Sequence, residues 1–252
     1  MKIRVAAISF INDTPLWWGM KDDPNVDLRL MVPSQTAGCL LDGSADIAVV
    51  PTFMAVRNDL HSAAPIGVLS KGDVRSILLF YPRGTDNIRK IFLDPASRTS
   101  QAMTRHLFSN RNIAFETGRK DLKSLAPDEA QLLIGDDALK LYDHPMPKLD
   151  IATMWKVKTG RCCVFALWAK KKEKLDFDEA DFLESSLSRC LDKFDEIIKW
   201  AGSKTGLKEP TLRHYFEKSL FYRFGEEGGP ALDFCREVFP ALPELKIENF
   251  KL

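Results

Sequence analysis

Ile3-Arg4-Val5-Ala6-Ala7-Ile8, Asp27-Leu28-Arg29-Leu30-Met31-Val32 and Asp46-Ile47-Ala48-Val49-Val50-Pro51 are the three runs that decide the fold. The first and third are continuously apolar over most of their length, as strands covered on both faces are. The second alternates charged and apolar residues. Between them lie two helical stretches. Asn12-Asp13-Thr14-Pro15 opens the first, with a capping residue and a proline in the first turn. The second follows Pro33, with Ser34 as its expected cap, Leu40 and Leu41 on its core face and Gly43 at its end. The order β-α-β-α-β predicts a parallel sheet with right-handed crossovers.

Further along, Val74 to Tyr81 reads as a long apolar strand that ends at Pro82-Arg83-Gly84. A second α/β unit follows, with strands at Ile91–Leu93 and Leu132–Ile134 and a helix from about Ser97 to Phe108. Asp150-Ile151-Ala152 reads as a short strand, and Cys163 to Ala169 as a second long one. Beyond residue 175 the pattern is helical. Phe182, Leu183, Leu187, Leu191, Phe194 and Ile198 predict one long amphipathic helix closed by Gly202, followed by helices near 212–221 and 231–239. Two α/β units joined by two long strands imply an α/β protein of two lobes. Residues 1–81 plus 168–252 form the first and residues 82–167 the second, with hinges near 81–84 and 168–171. Ligands of open α/β sheets bind beyond the C-terminal strand ends, which places a cleft between the lobes.

The chain has 252 residues, 45% of them hydrophobic and 28% charged, within the range of ordinary globular proteins. Lysine and arginine number 36 against 35 acids, so there is no basic excess for nucleic acid. No apolar run approaches the ~18 residues of a membrane span. A strand beginning at Ile3 does not resemble a secretory signal, so the expected location is cytoplasmic. The five cysteines form no C-x-x-C pair and read as buried free thiols. The four histidines lack metal-ligand spacing, and no metal site is expected.

Four loops after strands are rich in small polar groups. Ser9-Phe10-Ile11-Asn12 brings an amide that can both donate and accept. Val74-Arg75-Ser76 brings a hydroxyl at the start of an apolar strand. Asp94-Pro95-Ala96-Ser97-Arg98-Thr99-Ser100 sets four donor side chains beside the unpaired amides of a helix N-terminus, an arrangement that attracts a carboxylate or phosphate. Ile134-Gly135-Asp136-Asp137 allows close backbone approach at Gly135, while Asp136 caps a helix, holds a ligand or meets the opposite lobe. Neither a Walker loop nor a nucleophile elbow is present. These features describe a binder of a small anion, either enzyme or binding protein.

Taken in order, these segments resemble the chorismate dehydratases of the futalosine route to menaquinone. Ser9-Phe10-Ile11-Asn12 with Pro15-Leu16, Val74-Arg75-Ser76 before Leu78-Leu79-Phe80, Ser97-Arg98-Thr99-Ser100, and Ile134-Gly135-Asp136-Asp137-Ala138-Leu139 carry the likeness. So do Trp155, Thr159-Gly160 and Val164-Phe165-Ala166-Leu167-Trp168-Ala169. The resemblance implies a type II periplasmic-binding-protein-like fold and the dehydration of chorismate to 3-[(1-carboxyvinyl)oxy]benzoate, with neither metal nor organic cofactor. It implies Asn12 and Ser76 at the reacting face, with the substrate's own side-chain carboxylate as base. Ser97, Arg98, Thr99, Ser100, Gly135 and Asp136 are the expected substrate-binding residues. Two departures stand out. Asn12-Asp13-Thr14 is closer to the sister family of 1,4-dihydroxy-6-naphthoate synthases, whose catalytic histidine has no counterpart here. Arg161-Cys162-Cys163 replaces the usual leucine-proline-phenylalanine and bears on one cleft wall. A non-catalytic binding protein for an aromatic acid is the other alternative.

Overall fold

The computed structural model describes residues 2–171, 175 and 177–242. The chain begins with β1 (Ile3–Ile8), a 3₁₀ turn over Ile11–Asp13, α1 (Thr14–Trp17) and β2 (Val26–Met31). It continues through α2 (Pro33–Leu41), β3 (Ile47–Pro51), α3 (Thr52–Arg57) and β4 (His61–Ser70). The next stretch holds β5 (Ile77–Phe80), β6 (Lys90–Leu93), α4 (Arg98–Leu107) and β7 (Ala114–Thr117). After it come β8 (Glu129–Ile134), α5 (Gly135–Lys140), β9 (Lys148–Asp150) and α6 (Ile151–Thr159). The chain then forms β10 (Cys163–Lys170), α7 (Glu179–Leu191), α8 (Phe194–Thr205), α9 (Glu209–His214), β11 (Phe221–Arg223) and α10 (Gly225–Val238).

Two mixed sheets result. One has the order β11-β4-β10-β3-β1-β2, the other β7-β6-β8-β5-β9. The opening β-α-β-α-β unit folds as expected, with β1 parallel to both β2 and β3. Its second helix starts differently: Pro33 is the first helical residue after the N-cap Val32, so Ser34 lies inside the helix. Among the described residues no helix is long and apolar enough to cross a membrane. All five cysteines are free thiols, four of them buried.

The lobe boundaries expected at 81/82 and 167/168 do not coincide with the points where the chain changes sheets. β5 lies wholly in the five-stranded sheet, between β8 and β9, and β10 lies wholly in the six-stranded one, between β4 and β3. The crossings are therefore the segments 71–76 and 160–162, and the expected hinges at 81–84 and 168–171 lie away from them. The displacement follows from β4, a strand that its own residues disguise. Pro65 removes a ladder donor and falls where the β4–β10 register slips, between Leu167↔Gly67 and Ala169↔Ser62. Gly67 is required by close approach, because a Cβ there would lie 2.3 Å from the Ala166 carbonyl oxygen.

The C-terminal half departs from expectation in three places. The long helix is broken at Asp192-Lys193 into α7 and α8, and the residue that closes α8 is Gly206, at φ +75°, rather than Gly202. Leu183, Leu187 and Cys190 are the buried stripe of α7, and Ile197, Ile198 and Ala201 that of α8. Exposure of Leu191 marks the point where one stripe ends. The helix expected near 212–221 is a short α9, a π-helical turn over Tyr215–Ser219 and then strand β11. α10 begins earlier than expected, at Gly225. Its Gly228 packs on Phe224, where a Cβ would lie 2.5 Å from the Phe224 Cβ.

Asp150 holds the first crossing in place. Its Oδ2 accepts the Val74 and Arg75 amides at 3.0 and 2.8 Å, and its Oδ1 caps α6 through Thr153 N–H at 2.9 Å. Arg75 sits there at φ +62°, unusual for a residue other than glycine. Burial pushes the Asp150 carboxyl up to about 6, against the pull of those amides and helped by nearby Asp73. A carboxyl raised on folding makes the native state the better proton binder. Its contribution is greatest below the ordinary carboxylate range and is lost as pH rises to about 6. Urea midpoints measured from pH 4 to 7 should show this falling component in the wild type, and subtraction of the Asp150→Asn profile should isolate it. Parallel profiles would contradict the assignment.

Candidate active site

β1, β3 and β8 end, and β5 begins, at the gap between the two sheets, and the loops there enclose a cavity. Phe10, Asn12 and Asp13 line it from the six-stranded side, and Ser76, Ser97, Ser100 and Gly135 from the five-stranded side. Among the described residues no lysine, arginine or histidine lines it. The polar part of the lining consists of hydroxyls, the Asn12 amide, the Asp13 carboxyl group and backbone groups.

Ser97 and Ser100 stand at the N-terminus of α4, one turn apart, and both face the cavity. Ser97 is the N-cap: its Oγ accepts Ser100 N–H at 3.2 Å and lies 2.9 Å from Ser100 Oγ. The helix thus turns its positive end toward the gap. Thr99, expected beside them on the substrate, points elsewhere. Its Oγ1 accepts the Phe53 amide at 3.1 Å and so ties α4 to α3 across the two halves. Arg98 is half-buried at the first turn and does not line the cavity.

Ser76 is buried and precedes β5. Its Oγ accepts the Tyr215 hydroxyl at 2.8 Å, which leaves the serine's own proton to donate into the cavity. Asn12 is half-buried and its backbone carbonyl oxygen accepts the Tyr222 hydroxyl at 3.1 Å. Burial holds both tyrosine hydroxyls protonated well beyond neutral pH.

Gly135 has φ +65° and lines the cavity opposite Phe10. Its N–H donates to the Ser76 carbonyl oxygen at 2.8 Å. A Cβ would come no closer to the Phe10 ring than 3.7 Å, so the constraint is backbone conformation rather than space. Gly135→Ala should cost about 1–2 kcal/mol, the penalty of a left-handed L-residue, read as a lower urea midpoint with unchanged slope. Asp136 does not line the cavity. It stands at the start of α5, near the Ile11 amide of the turn after β1. Burial raises its carboxyl, and Lys204 and that amide help to hold it down. Of the roles left open for it, the structure shows the contact with the opposite half.

Asp94, just after β6, fixes two of these loops together. It is fully buried. Its Oδ1 accepts Ala96 N–H at 3.0 Å and its Oδ2 accepts Ile134 N–H at 3.3 Å, with Arg119 at 2.9 Å. Burial raises this carboxyl above its usual range, and the Ala96 amide and Arg119 oppose the shift. Arg161, Cys162 and Cys163 do not line the cavity, whereas Phe165 and Ala166 of β10 do.

Two polar side chains of the cavity lie outside the expected set. Asp13 is next to Asn12 in the first loop, where an acid before Thr14-Pro15 reads as part of a helix start. Tyr215 carries no local signal, because it arrives from a π-helical turn 139 residues away from Ser76.

Comparison with known proteins bears on this cleft. A Candida albicans gene product with the generic periplasmic binding protein fold superposes with a TM-score of 0.64 at 12% identity, over 98% of this chain and 92% of that one. The two-sheet architecture is that fold. A chorismate dehydratase of Campylobacter jejuni is 24% identical over 234 residues, 89% of this chain and 92% of the relative. A chorismate dehydratase of Thermus thermophilus is 23% identical over 206 residues, 73% and 76% of the two chains. The family model described as menaquinone biosynthesis matches residues 3–239, and the chain belongs to that family.

Proposed function

We propose that the protein is a chorismate dehydratase, converting chorismate to 3-[(1-carboxyvinyl)oxy]benzoate and water on the futalosine route, in the cytoplasm. The observation that carries this reading is the cleft itself: neutral donors from both halves around a helix N-terminus, in a chain whose relatives bear that name. Chorismate has two carboxylates. One fits the Ser97–Ser100 turn, where hydroxyls and the helix dipole replace a cation. The other, on the enolpyruvyl side chain, lies near Asn12 and Ser76.

The reaction removes the ring proton beside the ether and the neighbouring hydroxyl. Aromatisation supplies the driving force, so orientation and exclusion of water are the protein's main tasks. With the substrate's side-chain carboxylate as base, Asn12 and the Tyr215-oriented Ser76 hydroxyl hold that carboxylate and the leaving hydroxyl in line. The sister synthase reading has less support, since none of the four histidines lines the cavity. Incubation of pure protein with chorismate, followed by chromatography, should show the benzoate ether accumulating as chorismate is consumed. Unchanged chorismate with tight binding of an aromatic acid would favour a binding protein. Conversion of a cyclic futalosine derivative instead would favour the sister enzyme.

A further inference from the structure

Among the described residues, Asp13 is the one carboxyl group that lines the cavity. It is 1% exposed, and its Oδ1 has no hydrogen-bond partner among them. An ionised carboxylate in that position would be costly, because a buried charge without a cation or a set of donors is relieved by neutralisation. The groups around it do not stabilise the charge enough. Asn12 on the same turn offers a side-chain hydrogen bond, Asp136 from α5 is a second acid, and the Tyr215 and Tyr222 hydroxyls are neutral. Lys204 from α8 donates to the Ser9 carbonyl oxygen and acts on Asp136. Burial above all, with Asp136 adding to it, raises the Asp13 carboxyl well above the usual range.

Dehydration by a substrate carboxylate leaves one requirement unmet. Hydroxide is a poor leaving group, and an acid within hydrogen-bond reach of it removes that barrier. Building on the dehydratase reading, we infer that the Asp13 carboxyl group donates the proton that turns the departing hydroxyl into water. The ring proton passes to the enolpyruvyl carboxylate, and its electron pair becomes the new ring π bond. The carbon–oxygen bond breaks with its pair on oxygen, which takes the Asp13 proton. The enolpyruvyl carboxylic acid then returns its proton to Asp13. One water leaves, and the enzyme ends as it began.

The test pairs a titration with kinetics on the full chain. Carbon-13 NMR of aspartate-labelled protein, with Asp13→Asn to assign the signal, should show the Asp13 carboxyl protonated at neutral pH. With chorismate, Asp13→Asn should lose about 10²–10⁴-fold in kcat with KM changed only a few-fold, and the alkaline limb of the wild-type pH profile should vanish. Asp13→Glu should recover part of the rate and shift that limb, which a purely structural role would not do. A folded Asp13→Asn enzyme with near wild-type kcat, or an Asp13 already ionised at neutral pH, overturns the donor assignment while leaving the dehydratase reading intact. Wild-type protein that leaves chorismate untouched overturns both, and the two failures are told apart by that control.

Discussion

Asn12→Ala should lower chorismate turnover by about 10²–10³-fold, the usual loss for one positioned donor, with the fold retained. The side chain is half-buried and its structural load is small. The contact from Tyr222 goes to the Asn12 backbone carbonyl, which alanine keeps. What disappears is an amide that lines the cavity beside Asp13. The effect should therefore fall on kcat more than on KM, and circular dichroism and urea midpoints should stay close to wild type. Undiminished turnover would remove Asn12 from the reacting face.

Asp94→Ala should act on stability instead, by about 2–5 kcal/mol, the cost of leaving two inward-facing amides without their acceptor. The substitution strips acceptors from the Ala96 and Ile134 amides and takes one of two carboxylates from Arg119, which keeps Asp137 at 2.7 Å. Against a typical total of about 5–15 kcal/mol, that loss leaves little reserve. Because the same carboxylate joins the Ser97 loop to the Gly135 loop, ligand affinity should weaken under conditions where the variant is still folded. A urea midpoint within error of the wild type would show that Asp94 carries no such load.

The loops that bear the site were legible because each is a polar cluster beside an apolar strand, a pattern that packing alone rarely produces. Direction of individual side chains was not. Ser97 and Ser100 are three residues apart and share a helix face, whereas Arg98 and Thr99 between them point along other radii. A linear reading weighs all four alike. The first sheet's β1, β2 and β3 were readable from periodicity. β4 was hidden by Pro65 and Gly67, residues that argue against a strand unless its neighbours and its register slip are known. Missing that strand moved the expected lobe boundaries along the chain. Asp13 was hidden differently, since an acid in a helix-starting motif looks like a cap until its burial is seen.

The two crossings also lie side by side: Ser70, where β4 ends, is the register partner of Cys163, where β10 begins. The five-stranded half is thus a cassette, one uninterrupted stretch of chain whose entry and exit meet at a single seam. Recombination or gene shuffling at that seam exchanges the serine-bearing wall as a unit and leaves every ladder of the other sheet unbroken. Such a layout lets new ligand preferences arise by transplanting one contiguous block, without redesign of the scaffold that receives it.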